Sequence, residues 1–281
     1  MTSEIQKRVA ALPSIRAMMA QADLQARKSL GQNFLFDLNL TGRIADSVDL
    51  SSGTVFEIGP GPGGLTRALL LAGAENVMAI EKDQRAISFL SHLTHAAQGA
   101  LQLIEGDALE MPVWEMGTAP RQIVANLPYN IATPLLINWL SHADAFTSMI
   151  LMFQREVAER ITAAPGEAHY GRLSILANWC ADTEILFDIP PEAFVPPPKV
   201  TSSVVRILPR EKPLYPCAQK ALEQVTHIAF SQRRKMLRAS FKAYGGTDML
   251  NQLDIDETMR PQELDIIDFC RIAEYLAPEL S

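Results

Sequence analysis

From residue 54 onward, short apolar runs alternate with stretches of helical period. The runs at 54–58, 77–80, 101–104, 122–125 and 148–153 are short and almost continuously apolar. Runs of that kind read as strands buried on both faces, so the pattern predicts a parallel sheet covered by helices. Helices are expected over 65–72 and 133–140, and from near Asp83 and Arg155. Asp37 is placed to cap another that ends near Val48. Two further strands, 185–189 and 202–207, are joined by a loop holding Pro190, Pro191, Pro196, Pro197 and Pro198. With no crossover helix between them, they are expected as an antiparallel pair ending the sheet. Pro209, Pro213 and Pro216 read as a linker, and 217–281 is helical in period with no strand candidate. The expected fold is α/β, a sheet of about seven strands followed by a smaller all-helical domain. The expected boundaries are an arm over 1–36, the sheet domain over 37–209 and the helical domain over 210–281.

A chain of 281 residues has room for one large and one small domain. At 48% hydrophobic and 20% charged residues it is neither disordered nor collagenous. No run of ~18 apolar residues occurs, which predicts no membrane span. Residues 135–153 come nearest and are interrupted by His142 and Asp144. Glu4, Lys7, Arg8 and Arg16 leave no apolar core for a secretory leader. Cys180, Cys217 and Cys270 are too dispersed for a disulfide framework or a zinc site, which fits a reducing cytoplasm. The five histidines show no metal spacing, so no metal is expected. The net charge of −7 argues against a nucleic-acid partner, but the charge is segregated. Residues 229–242 carry Arg233, Arg234, Lys235, Arg238 and Lys242 with no acid, whereas 251–281 is strongly acidic. A helix through 233–235 would spread its three cations over most of a turn. They are expected either to contact phosphate or to pair with the acidic tail. Arg27 and Lys28 read as a solvated arm or as a phosphate contact.

Candidate chemistry begins at Gly59-Pro60-Gly61-Pro62-Gly63-Gly64, between a strand and a helix. Such a turn permits close backbone approach to a ligand at a helix N-terminus. Gly59, Gly61 and Gly64 satisfy the spacing G-x-G-x-x-G, and Glu81 closes the next strand, where an acid can accept from ribose hydroxyls. The combination points to a nucleoside ligand without saying which. Pro60 and Pro62 lack the N–H groups a pyrophosphate would use, which favours a ligand with no phosphate. Asn126-Leu127-Pro128-Tyr129 ends the fourth strand. Gly59, Glu81, Asp107 and Asn126 thus fall at successive strand ends, where doubly wound sheets bind ligands.

These motifs resemble those of S-adenosylmethionine-dependent adenine N6-methyltransferases. Gly31-Gln32-Asn33-Phe34-Leu35 upstream narrows the resemblance, as does the stretch from Phe194 through Pro196-Pro197-Pro198-Lys199-Val200 to Ser202. Together they resemble the ribosomal RNA adenine dimethyltransferase family, whose bacterial members dimethylate two adjacent adenosines near the 3′ end of 16S rRNA. The resemblance runs from about Gly31 to Lys242. It implies a Rossmann-like methyltransferase sheet and S-adenosylmethionine as cofactor. It also implies a cytoplasmic, non-membrane enzyme of ribosome biogenesis, expected as a monomer, that acts on 16S rRNA in the small subunit or its precursor. Asn33 and Leu35 would close over the methionine end of the cofactor, beside Gly59. Glu81 would hold the ribose and Asp107 the adenine amine. Asn126 would lie between cofactor and target base, with the Leu127 carbonyl as a second acceptor for N6 hydrogens. Tyr129 and Phe194 would sandwich the base. Arg233, Arg234, Lys235 and Arg238 would contact rRNA phosphates.

Overall fold

The computed structural model describes residues 3–22, 24–27 and 31–280. By internal packing these divide into two compact units: 1–158 with 184–208, and 159–183 with 209–281.

The first unit opens with two helices that the apolar pattern did not announce, α1 (Glu4–Ala10) and α2 (Ile15–Ala22). A reciprocal cap starts α1: Ser3 Oγ accepts the Gln6 amide at 3.2 Å and Gln6 Oε1 accepts the Ser3 amide at 2.6 Å. Next come β1 (Phe34–Leu35), α3 (Leu38–Ala45), β2 (Thr54–Ile58), α4 (Gly64–Ala72), β3 (Val77–Glu81) and α5 (Gln84–Ala97). They are followed by β4 (Leu101–Glu105), β5 (Arg121–Asn126), α6 (Tyr129–Leu140) and β6 (Ser148–Gln154). The Asp37 carboxylate caps α3 as expected, and the Asp83 carboxylate caps α5. Helix α6 starts at Tyr129 rather than 133 and carries Pro134 inside it. Burial of Ala132, Leu135, Leu136 and Trp139 along one face outweighs the hydrogen bond lost at the proline.

Strands β2 to β6 are parallel wherever they pair. The chain then runs through α7 (Arg155–Thr162) and α8 (Arg172–Cys180) to β7 (Ala181–Ile189), β8 (Phe194–Val195) and β9 (Ser202–Pro209). The sheet order is β4-β3-β2-β5-β6-β9-β7, with β9 antiparallel to β6. The two late strands are neighbours at the end of the sheet, as the proline loop implied. Strand β7 begins at Ala181, four residues earlier than its apolar signal. The polar 181–184 stretch sits on the edge strand, where one side needs no apolar partner. From β2 the chain builds outward to β3 and β4, then returns to add β5 on the other side of β2. That reversal opens a crevice at the carboxyl ends of β2 and β5.

The second unit is helical, apart from the sheet residues at the start of β7 and end of β9. Besides α8 it contains α9 (Gln219–Ser231), α10 (Leu237–Ser240), α11 (Gly246–Gln252) and α12 (Ile266–Leu280). Val225, Ala229, Leu237, Phe241, Leu250, Phe269 and Leu276 have no accessible surface. Tyr170 Oη donates to the Leu264 carbonyl at 3.0 Å. A division by sequence at 209/210 misses that 159–183 packs with this unit. Helix α8 is buried at Ile175, Leu176, Ala177 and Trp179 and needs α9 and α12 to cover it.

Two features of the first unit carry energetic consequences. Arg67 of α4 is 7% exposed and donates to the carbonyls of Pro13 (2.6 Å), Leu12 (2.8 Å) and Ala10 (3.4 Å). It thereby satisfies the last carbonyl of α1 and two carbonyls of the link that follows it. Arg67→Met, which keeps an apolar stem, is expected to cost about 1–3 kcal/mol and to speed proteolysis within 11–24. Unchanged melting and cleavage would contradict that role. Glu57 lies in the middle of the sheet at 1% exposure. Burial pushes its carboxyl up to about 8, with the nearby Thr66 opposing the rise and negative charge on Glu81 adding to it. Glu57 is therefore neutral at pH 7. Its favourable contribution is complete below the unfolded value of 4.5 and is lost as pH rises toward 8, by at most about 1.4 kcal/mol per pH unit. Glu57→Gln keeps the shape without the titration. The melting temperature of the variant should gain on the parent steadily between pH 5 and 8, and a constant difference would contradict the buried neutral acid.

Candidate active site

The crevice at the sheet reversal is a cavity of about 360 Å³. It is lined by the 31–35 segment, the glycine turn, the ends of β3 and β4, and residues 126–131. Of the predicted residues, Asn33, Leu35, Gly59, Glu81, Asp107, Asn126, Leu127 and Tyr129 all line it.

Glu81 organises the floor. Its Oε2 accepts the Gly61 amide at 3.0 Å, and its Oε1 accepts the Lys82 and Asp83 amides at 2.8 Å each. Burial raises its pKa, and these three hydrogen bonds oppose the rise. A carboxylate offers about four lone-pair directions, so one remains open, on Oε2. The turn spends its amides internally. Gly59 donates to the Ile80 carbonyl, Gly61 to Glu81 and Gly63 to the Pro60 carbonyl, and the two prolines have none to give. The turn from 59 to 63 therefore offers no cradle for a phosphate, in line with the expectation from sequence. Gly61 adopts φ +53°, and a Cβ there would press on the Phe34 ring at 3.1 Å. At Gly64 a Cβ would collide with the Leu35 carbonyl. The glycines thus serve two purposes, a left-handed turn and contact with the segment that covers it.

That covering segment is latched by polar links. Gln32 Nε2 donates to Asp83 Oδ2 at 3.1 Å, and Arg85 grips the same carboxylate through Nε and Nη2 at 3.0 and 2.6 Å. Burial alone would raise the Asp83 pKa, but the bonds from Arg85 and Gln32 outweigh it and hold the carboxyl below its usual range. Asn33 presents its carbonyl to Asn126 Nδ2 at 3.1 Å. Phe34 and Leu35 pair with Val195 and Phe194 in the β1·β8 ladder. Arg27 is exposed and donates its amide to Gln32, while Lys28 lies outside the described residues.

Asp107 stands across the cavity floor. Lys82 Nζ lies 2.7 Å from its Oδ2 and the Leu109 amide 3.0 Å from its Oδ1, and the pair, led by Lys82, lowers its pKa. At the end of β5, the bond from Asn126 Nδ2 to the strap fixes the side chain's orientation. Oδ1 is left with no protein donor among the described residues. The Leu127 carbonyl likewise accepts from none of them. Two unsatisfied acceptors on consecutive residues therefore sit together in a mostly enclosed, apolar-walled site. Tyr129, half-buried, bonds through its hydroxyl to Ser202 Oγ at 2.8 Å.

Phe194 does not join them. Its ring is 2% exposed and packs in the core with Leu35, Met152, Ile189 and Val204 rather than along the cavity. Opposite Leu35 in the ladder, it supports the strap from behind and offers no open face, so the expected two-sided sandwich has one wall in this structure, Tyr129. The basic segment also differs from expectation. Residues 232–235 form a turn between α9 and α10, not a helix. Arg233 donates to the Ala168 carbonyl at 2.7 Å and Arg238 pairs with Glu257 at 2.8 Å, while Arg234 and Lys235 are exposed without a partner among the described residues. The sequence reading assigned no role to Glu57, Lys82, Asp83 or Gln32. An acid within the otherwise buried run 54–58 was the available signal for Glu57; the latch joins residues 51 positions apart and left none. No cluster of three or more His, Cys, Asp or Glu among the described residues is placed to hold a metal, and no described helix is long and apolar enough to cross a membrane.

The chain matches the family model described as ribosomal RNA adenine dimethylase over residues 23–278. It is 54% identical over 264 residues to a "Ribosomal RNA small subunit methyltransferase A" of Rhodospirillum rubrum, covering 93% of this chain and 92% of that one. The protein of the same name from Brucella abortus is 53% identical over 274 residues, covering 95% and 98%. Among solved structures, a dimethyladenosine transferase from Plasmodium falciparum superposes with a TM-score of 0.76 at 29% identity, over 88% of this chain and 98% of that one. The 23S rRNA methyltransferase ErmE gives 0.67 at 26% identity, over 87% and 100%. With the motifs assembled around one cavity and a family match spanning nearly the whole sequence, this chain belongs to the ribosomal RNA adenine dimethylase family.

Proposed function

We propose that this protein transfers methyl groups from S-adenosylmethionine to N6 of two adjacent adenosines near the 3′ end of 16S rRNA. In this reading it acts as a cytoplasmic monomer on the small ribosomal subunit or its precursor during ribosome biogenesis. The observation that carries the reading is the pair of unsatisfied acceptors, Asn126 Oδ1 and the Leu127 carbonyl, beside a cavity suited to a nucleoside.

The cavity fits the cofactor. An adenosine without phosphates needs an acceptor for its ribose and one for its exocyclic amine. The open lone pair on Glu81 and the Asp107 carboxylate supply them, and the amide-spent turn disfavours NAD. Asn33 and Leu35 close the methionine end beside Gly59. Bound there, S-adenosylmethionine supplies a methyl group already activated by its sulfonium.

The chain's task is the acceptor nitrogen, whose lone pair is delocalised into the adenine ring. Asn126 Oδ1 and the Leu127 carbonyl each accept one N6 hydrogen, which favours a pyramidal nitrogen with its lone pair free for in-line attack. As positive charge develops on nitrogen, the same two dipoles stabilise it without reorganising. Tyr129 offers one aromatic face to the extruded base. The methylated nitrogen then loses one proton to solvent as the positive charge is discharged, one N6 hydrogen remains, and one of the two acceptors suffices to orient the second transfer.

The reading is tested by incubating the enzyme with labelled S-adenosylmethionine and undermethylated 30S particles, then mapping the rRNA by mass. Two dimethylated adjacent adenosines are expected, and no incorporation would refute it. Asn126→Ala should lower turnover by about two orders of magnitude with 30S affinity little changed, and transfer at the parent rate would remove Asn126 from the mechanism.

In the basic turn, Arg234 and Lys235 are the cations available for phosphate, because Arg233 and Arg238 already serve the helical unit. The double variant Arg234→Ala, Lys235→Ala should keep its melting temperature. It should lose about 0.7–0.9 of log–log salt slope per phosphate contact removed. Arg238→Ala should instead melt lower. An unchanged salt slope in the double variant would place the RNA surface elsewhere.

A further inference from the structure

The Phe194-to-Ser202 motif helped identify the family, yet the chemistry above uses nothing at its far end. Ser202 has no accessible surface and opens β9 opposite Gln154 of β6. Its neighbours are pinned on both sides. The Thr201 carbonyl accepts the Arg155 amide at 3.0 Å, and the Ser203 hydroxyl donates to Asp188 Oδ1 at 2.6 Å. The Ser202 hydroxyl is therefore a fixed point in the fold, and its bond is to the Tyr129 phenol at 2.8 Å.

Resting on the function proposed above, we infer that Ser202 is a positioning residue for the target base, acting through Tyr129. A tyrosine side chain turns about two torsions, and its ring plane is set only when both are fixed. In Tyr129 one end is fixed by the backbone where β5 passes into α6, and the other by Ser202. Burial raises the phenol's pKa, with the Ser202 bond opposing the rise, so the group stays a neutral hydrogen-bonding partner across the physiological range. The ring face is thereby set before the base arrives. With Phe194 buried in the core and Phe34, the other aromatic of the lining, set against Gly61 of the turn, Tyr129 is the aromatic beside Asn126 and Leu127, and its orientation bears on where N6 falls relative to Asn126 Oδ1 and the Leu127 carbonyl. A misaligned N6 loses in-line geometry, a defect of the transfer step rather than of RNA docking. This explains why the motif carries a small hydroxyl residue at 202. The position is closed to solvent, and its chemistry is directed at a residue 73 positions earlier.

The test is a double-mutant cycle with Ser202→Ala, Tyr129→Phe and the double variant, using 30S particles and S-adenosylmethionine. Each single variant should lower kcat about three- to tenfold, with KM for 30S particles and cofactor affinity by calorimetry unchanged. The double variant should be no worse than either single one. Independent, multiplying losses would overturn the inference, as would parent kcat in Tyr129→Phe. So would a Ser202→Ala defect that follows melting temperature or cofactor affinity instead of kcat. If Ser202→Ala does not fold, Tyr129→Phe decides alone, because it removes the same bond without touching the buried site. An inactive parent enzyme would instead refute the proposed function, and so the two failures are separate.

Discussion

A carboxylate buried at the end of a parallel strand needs donors, and Glu81 draws them from the backbone on both sides of the crevice. The Gly61 amide comes from the turn after β2, and the Lys82 and Asp83 amides from the turn after β3. Burying that charge without them would be costly; with them, two adjacent strand ends are tied to one point. The tie fixes the turn in its left-handed course, removes the Gly61 amide from service and leaves one acceptor direction facing the cavity. Beneath it, burial holds the proton on Glu57 at pH 7, and the charge on Glu81 adds to the effect. One interaction thus decides the shape of the floor and the class of ligand it suits.

The roof is built on the same economy of links. Arg67 collects the carbonyls of Ala10, Leu12 and Pro13, Gln32 reaches the Asp83–Arg85 pair, and the Asn33 carbonyl takes the Asn126 amide. Each link joins a residue before position 36 to one after position 60. The 31–35 segment is therefore a wall of the site, and the described helices before it pack on the first unit. The link at Asn126 has a chemical effect as well, because the strap dictates which end of the amide is left free. The bond that holds the strap also orients the Asn126 amide.

The sheet was legible in the sequence because its strands are buried on both faces and its glycine turn and strand-end acids are local features. What the sequence concealed depended on pairing at a distance. The α1 cap was visible as S-x-x-Q at Ser3, but the burial of Val9 against α4 and α5 was not. Helix α6 was expected to start at 133, four residues late, and packing of its apolar face carries it back to Tyr129 across Pro134. Phe194 looked like an open aromatic in a proline-rich loop; its ladder partner Leu35 lies far back in the chain and draws the ring into the core. The basic run at 233–235 looked helical in a helical region, yet it is the turn that ends α9. In each case a local signal was read correctly as a tendency and a non-local contact settled the outcome.

The acidic net charge also becomes intelligible residue by residue. Arg67, Arg85, Arg206, Arg210, Arg238 and Arg271 are all engaged with carbonyls or carboxylates of their own unit. Five of these six pair with carboxylates, so the pairing neutralises cations and acids alike and leaves the net charge unchanged. A phosphate responds to unpaired cations nearby rather than to the sum over the chain, since screening limits the reach of distant acids to about 8 Å at physiological salt. Arg234 and Lys235, adjacent, exposed and on a turn without acids, form such a local field even at a net charge of −7. The free cations, not the total, are the quantity to set against an RNA backbone.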